Sequence, residues 1–226
     1  MDLIIFDCDG VLVDSETIAI QVLVRELGPR LPGVDVARLV RDSAGMTTGA
    51  ILELVEHQTQ HQFPAGTLEQ VNAATDQALD QQLEPLPGVV DALAEIPIQK
   101  AVASNSFLSR VQSSLRRAQL TEVFEDRVFA ADMVAEPKPS PELYLLASKQ
   151  LGVASKRCLV VEDSVTGVTA ARLAGMTVIG FTGAGHVPVN QGERLRLVGA
   201  AAVIDHMAHL PELVNSWPAK VAGHGR

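Results

Sequence analysis

The chain has an acidic motif near its start, Phe6-Asp7-Cys8-Asp9-Gly10-Val11-Leu12-Val13-Asp14-Ser15. Its first residue, Phe6, is also the last residue of the apolar run Leu3-Ile4-Ile5-Phe6. The run predicts a buried β-strand, and two carboxylates, Asp7 and Asp9, stand where that strand ends. Because side chains alternate faces in an extended chain, we expect both carboxylates to point the same way. A buried carboxylate pair is unfavourable unless something cationic binds it. The stretch therefore predicts a site in which one carboxylate binds a substrate or metal and the other moves a proton.

Short apolar runs alternate with longer amphipathic stretches along the rest of the chain. This alternation predicts an α/β fold, a Rossmann-like parallel sheet with helices on both faces. We expect the strands at residues 3–6, 98–103, 158–161, 177–181 and 201–204.

Residues 15–83 interrupt the alternation, since they hold several helical stretches and no convincing strand. We therefore expect an α/β catalytic core at residues 1–14 and 84–226 and an inserted all-helical cap at 15–83. Both ends of the insert lie near the sheet edge that carries the two carboxylates. This position favours a lid that excludes water and selects the substrate. An ordinary helical subdomain packed elsewhere remains the alternative.

The composition limits the classes of partner. The chain has 226 residues, 47% hydrophobic content and a formal charge of -9, which argues against a nucleic-acid surface. No apolar run is long enough for a membrane span and no leader precedes the first strand, so we expect a cytoplasmic protein. Cys8 and Cys158 are expected to be buried, reduced thiols. The histidines form no metalloprotease pattern and are expected to be surface or structural residues.

Polar residues follow a second strand-like run at Ala103-Ser104-Asn105-Ser106, just before a helix predicted to begin near Phe107. The loops at the carboxyl ends of parallel strands open on one edge of a sheet, where ligands bind. Hydroxyl and backbone N–H groups at a helix start suit an anion. Ser104 and Asn105 are thus candidate substrate ligands, with a plain helix N-cap as the alternative.

A lysine stands in a proline-rich segment, Glu136-Pro137-Lys138-Pro139-Ser140-Pro141. The flanking prolines stiffen the local chain, so the ammonium of Lys138 is aimed in one direction. A lysine presented in this way suits a phosphate oxygen. A surface lysine in a turn is the alternative.

An acidic pair, Glu162-Asp163, closes a third apolar run and repeats the pattern of the first motif. Two groups of carboxylates that face each other form a site for a hard divalent cation, and Mg²⁺ fits best. Asp163 as a helix N-cap is the alternative, but a cap does not account for an acidic pair.

Taken in order, the motifs at Asp7 to Ser15, Ser104, Lys138 and Glu162-Asp163 resemble those of the haloacid dehalogenase-like phosphohydrolases. The chain is most similar to the β-phosphoglucomutase-like branch, in which a helical cap follows the first motif. The resemblance implies that Asp7 is a nucleophile that forms an aspartyl-phosphate and that Asp9 is the general acid and base. It also implies Mg²⁺ ligation by Asp7, by Asp9 through its carbonyl and by Asp163, with Glu162 in the first or second coordination shell.

Two positions in the insert depart from the mutases of this branch. Thr48 stands where they carry an arginine, and Ala19 where they carry a histidine. A mutase must bind the second phosphate of a bisphosphate intermediate, and without the arginine the insert lacks the cation for it. This absence favours hydrolysis over mutase chemistry. We expect a phosphatase of small sugar or sugar-acid phosphates, as a monomer or weak dimer. The alternatives are a sugar-phosphate mutase and a non-catalytic or receiver-like phosphoacceptor module.

The non-phosphate end of the substrate is expected to face Gly45, Met46 and Thr47 of the cap, with Asp14 and Ser15 near the hinge. These residues are the candidate specificity determinants, because the four motifs account for the phosphate alone.

Overall fold

The computed structural model describes residues 1–43 and 46–222. The chain separates into two compact units. The sheet unit comprises Met1–Asp14 and Glu84–Arg226, and the helical unit comprises Ser15–Leu83. Within the sheet unit, the segments that lead out to and return from residues 15–83 are neighbours, since the Leu86 N–H donates to the Leu12 carbonyl at 2.8 Å.

The strands are β1 (Leu3–Phe6), β2 (Gln99–Ser104), β3 (Val128–Ala130), β4 (Cys158–Glu162), β5 (Thr177–Phe181) and β6 (Ala202–Ile204). All neighbouring strands pair in parallel, in the order β3-β2-β1-β4-β5-β6. The predicted parallel α/β sheet is confirmed. Because β1 lies between β2 and β4, the motif that begins at Asp7 lies between Ser104 and the pair Glu162-Asp163.

Strand β3 was not predicted, because three residues are too few to form a recognisable apolar run. It forms through its partner, since β3 pairs with β2 in the register Val102↔Val128. The Val102 N–H also donates to the Arg127 carbonyl at 2.9 Å. The chain that follows this short strand contains Lys138, which the sequence predicts to bind a phosphate oxygen.

The helices of the described chain are α1 (Ser15–Leu27), α2 (Val36–Asp42), α3 (Thr48–Thr59), α4 (Thr67–Gln82), α5 (Val89–Glu95), α6 (Leu108–Arg117), α7 (Thr121–Phe124), α8 (Glu142–Gln150), α9 (Val165–Leu173), α10 (Gln191–Leu197) and α11 (Leu210–Ala222). Helices cover both faces of the sheet, as predicted. Leu3 and Ile5 pack into one core cluster with residues of α8 and α9. On the opposite face, the ring of Phe6 meets that of Phe124 in α7 edge to face, with centroids 6.1 Å apart. Alternating residues of β1 thus face two separate helical layers.

The helical unit has its own hydrophobic core, formed by residues of α1 to α4. Leu27, Val40, Val55 and Val71 are fully buried there. Polar contacts on the same unit include Arg30, which donates to Thr67 Oγ1 at 3.1 Å and to Gln70 Oε1 at 2.9 Å.

Cys8 and Cys158 are buried and form no disulfide, as predicted. Within residues 1–43 and 46–222, no helix has both the length and the apolar character that a membrane crossing requires.

Candidate active site

Lys138 is the centre of a buried polar cluster at the carboxyl ends of β1, β2 and β4. Its Nζ lies 2.7 Å from Asp7 Oδ1 and 2.7 Å from Glu162 Oε1, and it donates to the Ala103 carbonyl at 2.8 Å. Only 5% of Lys138 is exposed. The surface-lysine alternative is therefore wrong, and the motifs after β1, β2 and β4 converge on one ammonium.

Asn105 holds the backbone of Lys138 with two hydrogen bonds. The Lys138 N–H donates to Asn105 Oδ1 and Asn105 Nδ2 donates to the Lys138 carbonyl, each at 2.9 Å. Neither Asn105 nor Ser104 is a helix cap, because Phe107 occupies the cap position of α6 with no side-chain bond. Asn105, predicted as a substrate ligand, thus uses its amide to fix the loop that carries the lysine.

Glu162 is fully engaged by the protein. Its Oε1 accepts from Lys138 Nζ and from Tyr144 Oη at 3.3 Å, while its Oε2 accepts from the Ser164 N–H at 2.8 Å and Ser164 Oγ at 2.9 Å. The Tyr144 ring also lies below the ammonium, 4.8 Å from Nζ to the ring centroid, a cation–π distance. Glu162 is 1% exposed and lies so close to α9 that a Cβ on Gly167 would fall 1.6 Å from Oε1. Glycine at 167 is therefore what leaves room for this carboxylate.

Asp163 lies beside the turn that follows Asp9. Gly10 has φ +82°, and a Cβ there would fall 2.0 Å from Asp163 Oδ2. The glycine therefore serves both the turn and the close approach of the second acidic motif. The N-cap of α9 is Ser164, whose Oγ accepts from the Gly167 N–H at 2.9 Å. The alternative that Asp163 caps this helix is wrong.

Asp9 and Ser104 complete the sheet-unit residues predicted from the motifs. Asp9 is partly buried, and Ser106 Oγ lies 3.4 Å from its Oδ2. Ser104 ends β2, is 3% exposed, and accepts the Ser106 N–H at 3.2 Å through its Oγ. Ser106 thus joins the two side chains in one hydrogen-bonded loop.

Of the three residues predicted in the helical unit, Gly45 lies outside the described residues. Met46 is 44% exposed. Thr47 caps α3, since its Oγ1 accepts from the Ala50 N–H at 3.3 Å.

The electrostatics of the cluster are those of an anionic site with one strong cation. Burial raises the pKa of Asp7 well above its usual 3.8; Lys138 opposes this rise, whereas Glu162 and Asp163 add to it. Burial alone would lower the pKa of Lys138, but the charges of Asp7 and Glu162 outweigh it and raise the pKa well above its usual range. Burial also raises the pKa of Asp163 from 3.8 to about 6, against the opposing effect of His186. Lys138 is thus held as an ammonium, but its single positive charge is shared by Asp7 and Glu162 and does not neutralise all the carboxylates of the cluster.

The donor set fits a divalent cation. Among the described residues of the cluster, the buried carboxylates of Asp7 and Glu162 and the partly buried carboxylate of Asp163 meet one buried ammonium, so negative charge is in excess when all three are ionised. In residues 1–43 and 46–222, no three His, Cys, Asp or Glu side chains form a ready-made metal centre. Mg²⁺ does not need one, because it binds through one or two carboxylates together with water and substrate phosphate.

Three residues near the cluster carried no signal in the sequence. Tyr144 is the single tyrosine of an aromatic-poor chain. His186, expected to be surface or structural, contacts Asp14 at 2.9 Å through Nδ1. Gln191 Nε2 donates to the Asp163 carbonyl at 2.6 Å. These three lie on α8 and on the chain after β5, so only the sheet order brings them to the motifs.

Comparisons with known proteins agree with the geometry. A family profile described as haloacid dehalogenase-like hydrolase matches residues 1–175. The chain is 28% identical over 225 residues to a 6-phosphogluconate phosphatase of Escherichia coli, covering 97% of this chain and 96% of that one. It is 30% identical over 218 residues to a phosphorylated carbohydrates phosphatase of Thermotoga maritima, covering 90% and 94%. A solved β-phosphoglucomutase-like structure from the same organism superposes with a TM-score of 0.82 at 27% identity, covering 96% and 99%.

Proposed function

The chain belongs to the haloacid dehalogenase-like hydrolases, as its motifs predicted, and on this premise we propose that it is a Mg²⁺-dependent phosphatase of small sugar or sugar-acid phosphates. The observation that carries the proposal is the bridge from Lys138 to Asp7 and Glu162 beside Asp163. Such a site combines a carboxylate at the end of a central strand with the positive charge that a phosphate requires.

Asp7 is proposed as the nucleophile. One carboxylate oxygen forms a bond to phosphorus while the bond to the leaving alkoxide breaks, which gives an aspartyl-phosphate. The Asp7 N–H donates to the Val161 carbonyl at 3.0 Å, so the nucleophile is fixed to the neighbouring strand. A backbone held in this way keeps the carboxylate in line for attack.

Asp9 is proposed as the general acid and base. It donates a proton to the leaving oxygen and then takes one from the water that attacks phosphorus, which releases phosphate and restores Asp7. Its neighbour Ser106, 3.4 Å away, orients the carboxyl group. The partial exposure of Asp9 gives the leaving oxygen and water access to it.

The carboxylates of Asp7 and Asp163 and the backbone carbonyl of Asp9 are the proposed ligands of Mg²⁺. Bound there, Mg²⁺ would supply the positive charge that offsets repulsion between the phosphate and the attacking carboxylate. Glu162 is assigned to positioning Lys138 rather than to the metal, because both of its oxygens already accept hydrogen bonds from the protein.

Lys138 and Ser104 are proposed to bind the phosphate oxygens. Lys138 already contacts Asp7, so a phosphate at Asp7 falls within reach of the same ammonium. Asn105 contributes indirectly by fixing the Lys138 backbone.

The helical unit, residues 15–83, is proposed as the cap that selects the substrate, with Gly45, Met46 and Thr47 as its contact residues. Phosphatases of phosphorylated carbohydrates among the relatives support the sugar class. The likeness to a β-phosphoglucomutase-like structure favours the mutase as a second candidate. We further propose a cytoplasmic location and a monomer or weak dimer.

The test is a phosphate-release assay over a panel of sugar phosphates, sugar-acid phosphates and nucleotides, with Mg²⁺ or with EDTA. Asp7→Asn should abolish release on every substrate, because it removes the attacking oxyanion. Asp2→Asn is the matched control: Asp2 precedes β1 at its opposite end, where it pairs with Arg157 on the surface. Phosphate release by Asp7→Asn at the wild-type rate would exclude Asp7 as the nucleophile. Isomerised product without free phosphate, formed only with a bisphosphate primer, would support the mutase instead.

A further inference from the structure

The chain after β5 binds the end of the first motif. The Gly185 N–H donates to Asp14 Oδ2 at 2.7 Å, and His186 Nδ1 lies 2.9 Å from Asp14 Oδ1. Both oxygens of one carboxylate are therefore used by two successive residues. Because a carboxylate only accepts, Nδ1 carries the proton of this bond, and the ring is held with its other nitrogen pointing away from Asp14.

The other ring nitrogen of His186, Nε2, faces Asp163. His186 Nε2 lies 3.6 Å from Asp163 Oδ2, too far for a hydrogen bond but close enough for an ion pair when the imidazole is protonated. The side chains of His186 and Asp163 are 11% and 12% exposed, so little water competes for the contact. Gly10 bounds the same oxygen on the side of the first motif.

Gln191 holds the backbone of the same residue. Its Nε2 donates to the Asp163 carbonyl at 2.6 Å, and its Oε1 accepts from Arg194 Nη1 at 3.0 Å. The bond from Arg194 fixes the orientation of the amide, because only the carbonyl oxygen of Gln191 can accept it. Gln191 is 7% exposed, so this contact is also shielded from solvent.

We propose that His186 and Gln191 are positioning residues for Asp163, which they hold in the orientation that binds the divalent cation; this rests on the proposed function. Gln191 fixes the backbone, His186 limits the rotation of the carboxylate, and Asp14 sets the ring of His186. A ligand held in place before the metal arrives loses less conformational freedom on binding. Partners of metal ligands typically change affinity about 10- to 100-fold when removed.

Three substitutions of His186 separate the contact with Asp163 from the contact with Asp14. The amide nitrogen of His186→Gln can stand near the place of Nε2, whereas that of His186→Asn can stand near Nδ1. His186→Ala removes both contacts. His209→Ala is the matched control, because His209 pairs with Asp205 at 3.4 Å on an exposed surface.

Mg²⁺ alone is titrated into each protein by calorimetry, and phosphate release is then measured as a function of Mg²⁺ concentration. We expect His186→Ala and His186→Asn to weaken Mg²⁺ binding about 10-fold or more and His186→Gln to weaken it less than about threefold. Gln191→Leu should act like His186→Ala. Saturating Mg²⁺ should restore the turnover number of all four variants to within about threefold of wild type, a rescue that general structural damage would not allow.

Unchanged Mg²⁺ affinity in His186→Ala and Gln191→Leu would overturn the inference while the wild type still binds Mg²⁺ and releases phosphate. So would wild-type affinity in His186→Asn combined with weak binding in His186→Gln, because the ring would then serve Asp14 alone. A wild type that neither binds Mg²⁺ nor releases phosphate would instead refute the proposed function, and the inference with it.

Discussion

Replacing Asp163 by Asn should stabilise the metal-free protein at neutral pH. The folded state raises the pKa of this carboxyl from 3.8 to about 6, mainly because burial disfavours the charged form. A raised pKa means that the native state binds the proton more tightly than the unfolded state does. Ionised Asp163 therefore destabilises the fold, and the isosteric amide removes that destabilisation.

The size of the effect follows from proton linkage. Above pH 6 the destabilisation is fully present and amounts to about 3 kcal/mol. This figure is the pKa difference of roughly two between the folded and unfolded states, multiplied by about 1.4 kcal/mol per pKa unit. As the pH falls through 6 towards 3.8 the native carboxyl takes up its proton and the destabilisation declines. At pH 4.5 about 1 kcal/mol should remain.

Urea unfolding in EDTA, from pH 7.5 to pH 4.5, measures this quantity as the difference in free energy of unfolding between variant and wild type. Asp126→Asn serves as the control, since Asp126 is exposed and a surface change of this kind alters stability by less than about 0.5 kcal/mol. Added Mg²⁺ should stabilise the wild type and not Asp163→Asn. A variant that is less stable than wild type at pH 7.5, or a difference that does not change with pH, would refute the electrostatic reasoning.

Three further substitutions test the packing around the cluster. Gly167→Ala should lower the free energy of unfolding by about 2 kcal/mol or more, because its Cβ would fall 1.6 Å from the carboxylate of Glu162. Gly192→Ala is the control: its Cβ would meet its nearest atom at 3.5 Å, so urea unfolding should show a neutral or stabilising change. Gly10→Ala should cost more than Gly33→Ala, since both have φ above +80° but only the first meets a carboxylate, at 2.0 Å; equal costs would contradict the close approach. Tyr144→Phe should lose about 1 kcal/mol from one buried hydroxyl while keeping the ring 4.8 Å from the ammonium. Unchanged unfolding of this last variant would mean that the hydroxyl bond contributes nothing.

Most of the sheet could be predicted from the sequence, because buried parallel strands appear as uninterrupted apolar runs. The run that ends at Phe6 and the run that ends at Val161 are of this kind, and each is followed by an acidic pair. The apolar runs that indicate the strands therefore stand next to the residues of the candidate site in the sequence. Strand β3 gave no such signal, because its three residues are stabilised by pairing rather than by their own pattern.

The supporting residues of the cluster could not be predicted, since their contacts depend on long-range packing. Tyr144 stands 18 positions before Glu162, and His186 stands 172 positions after Asp14. A lone tyrosine or histidine within an unremarkable helix or loop has no local feature that distinguishes it. Asn105 was recognised, but its spacing suggested a ligand, whereas its amide binds the Lys138 backbone.

The central place of β1 in the sheet has a consequence for hydrogen exchange. Its backbone pairs on both sides, with Phe6 opposite Val102 of β2 and Val161 of β4. Amides in such a strand exchange with solvent only when the whole unit opens, whereas those of an edge strand such as β6 exchange through local fraying. The backbone that carries Asp7 should thus be among the slowest to exchange. As the protein is warmed, Asp7, the proposed nucleophile, should keep its place until the sheet unit itself unfolds.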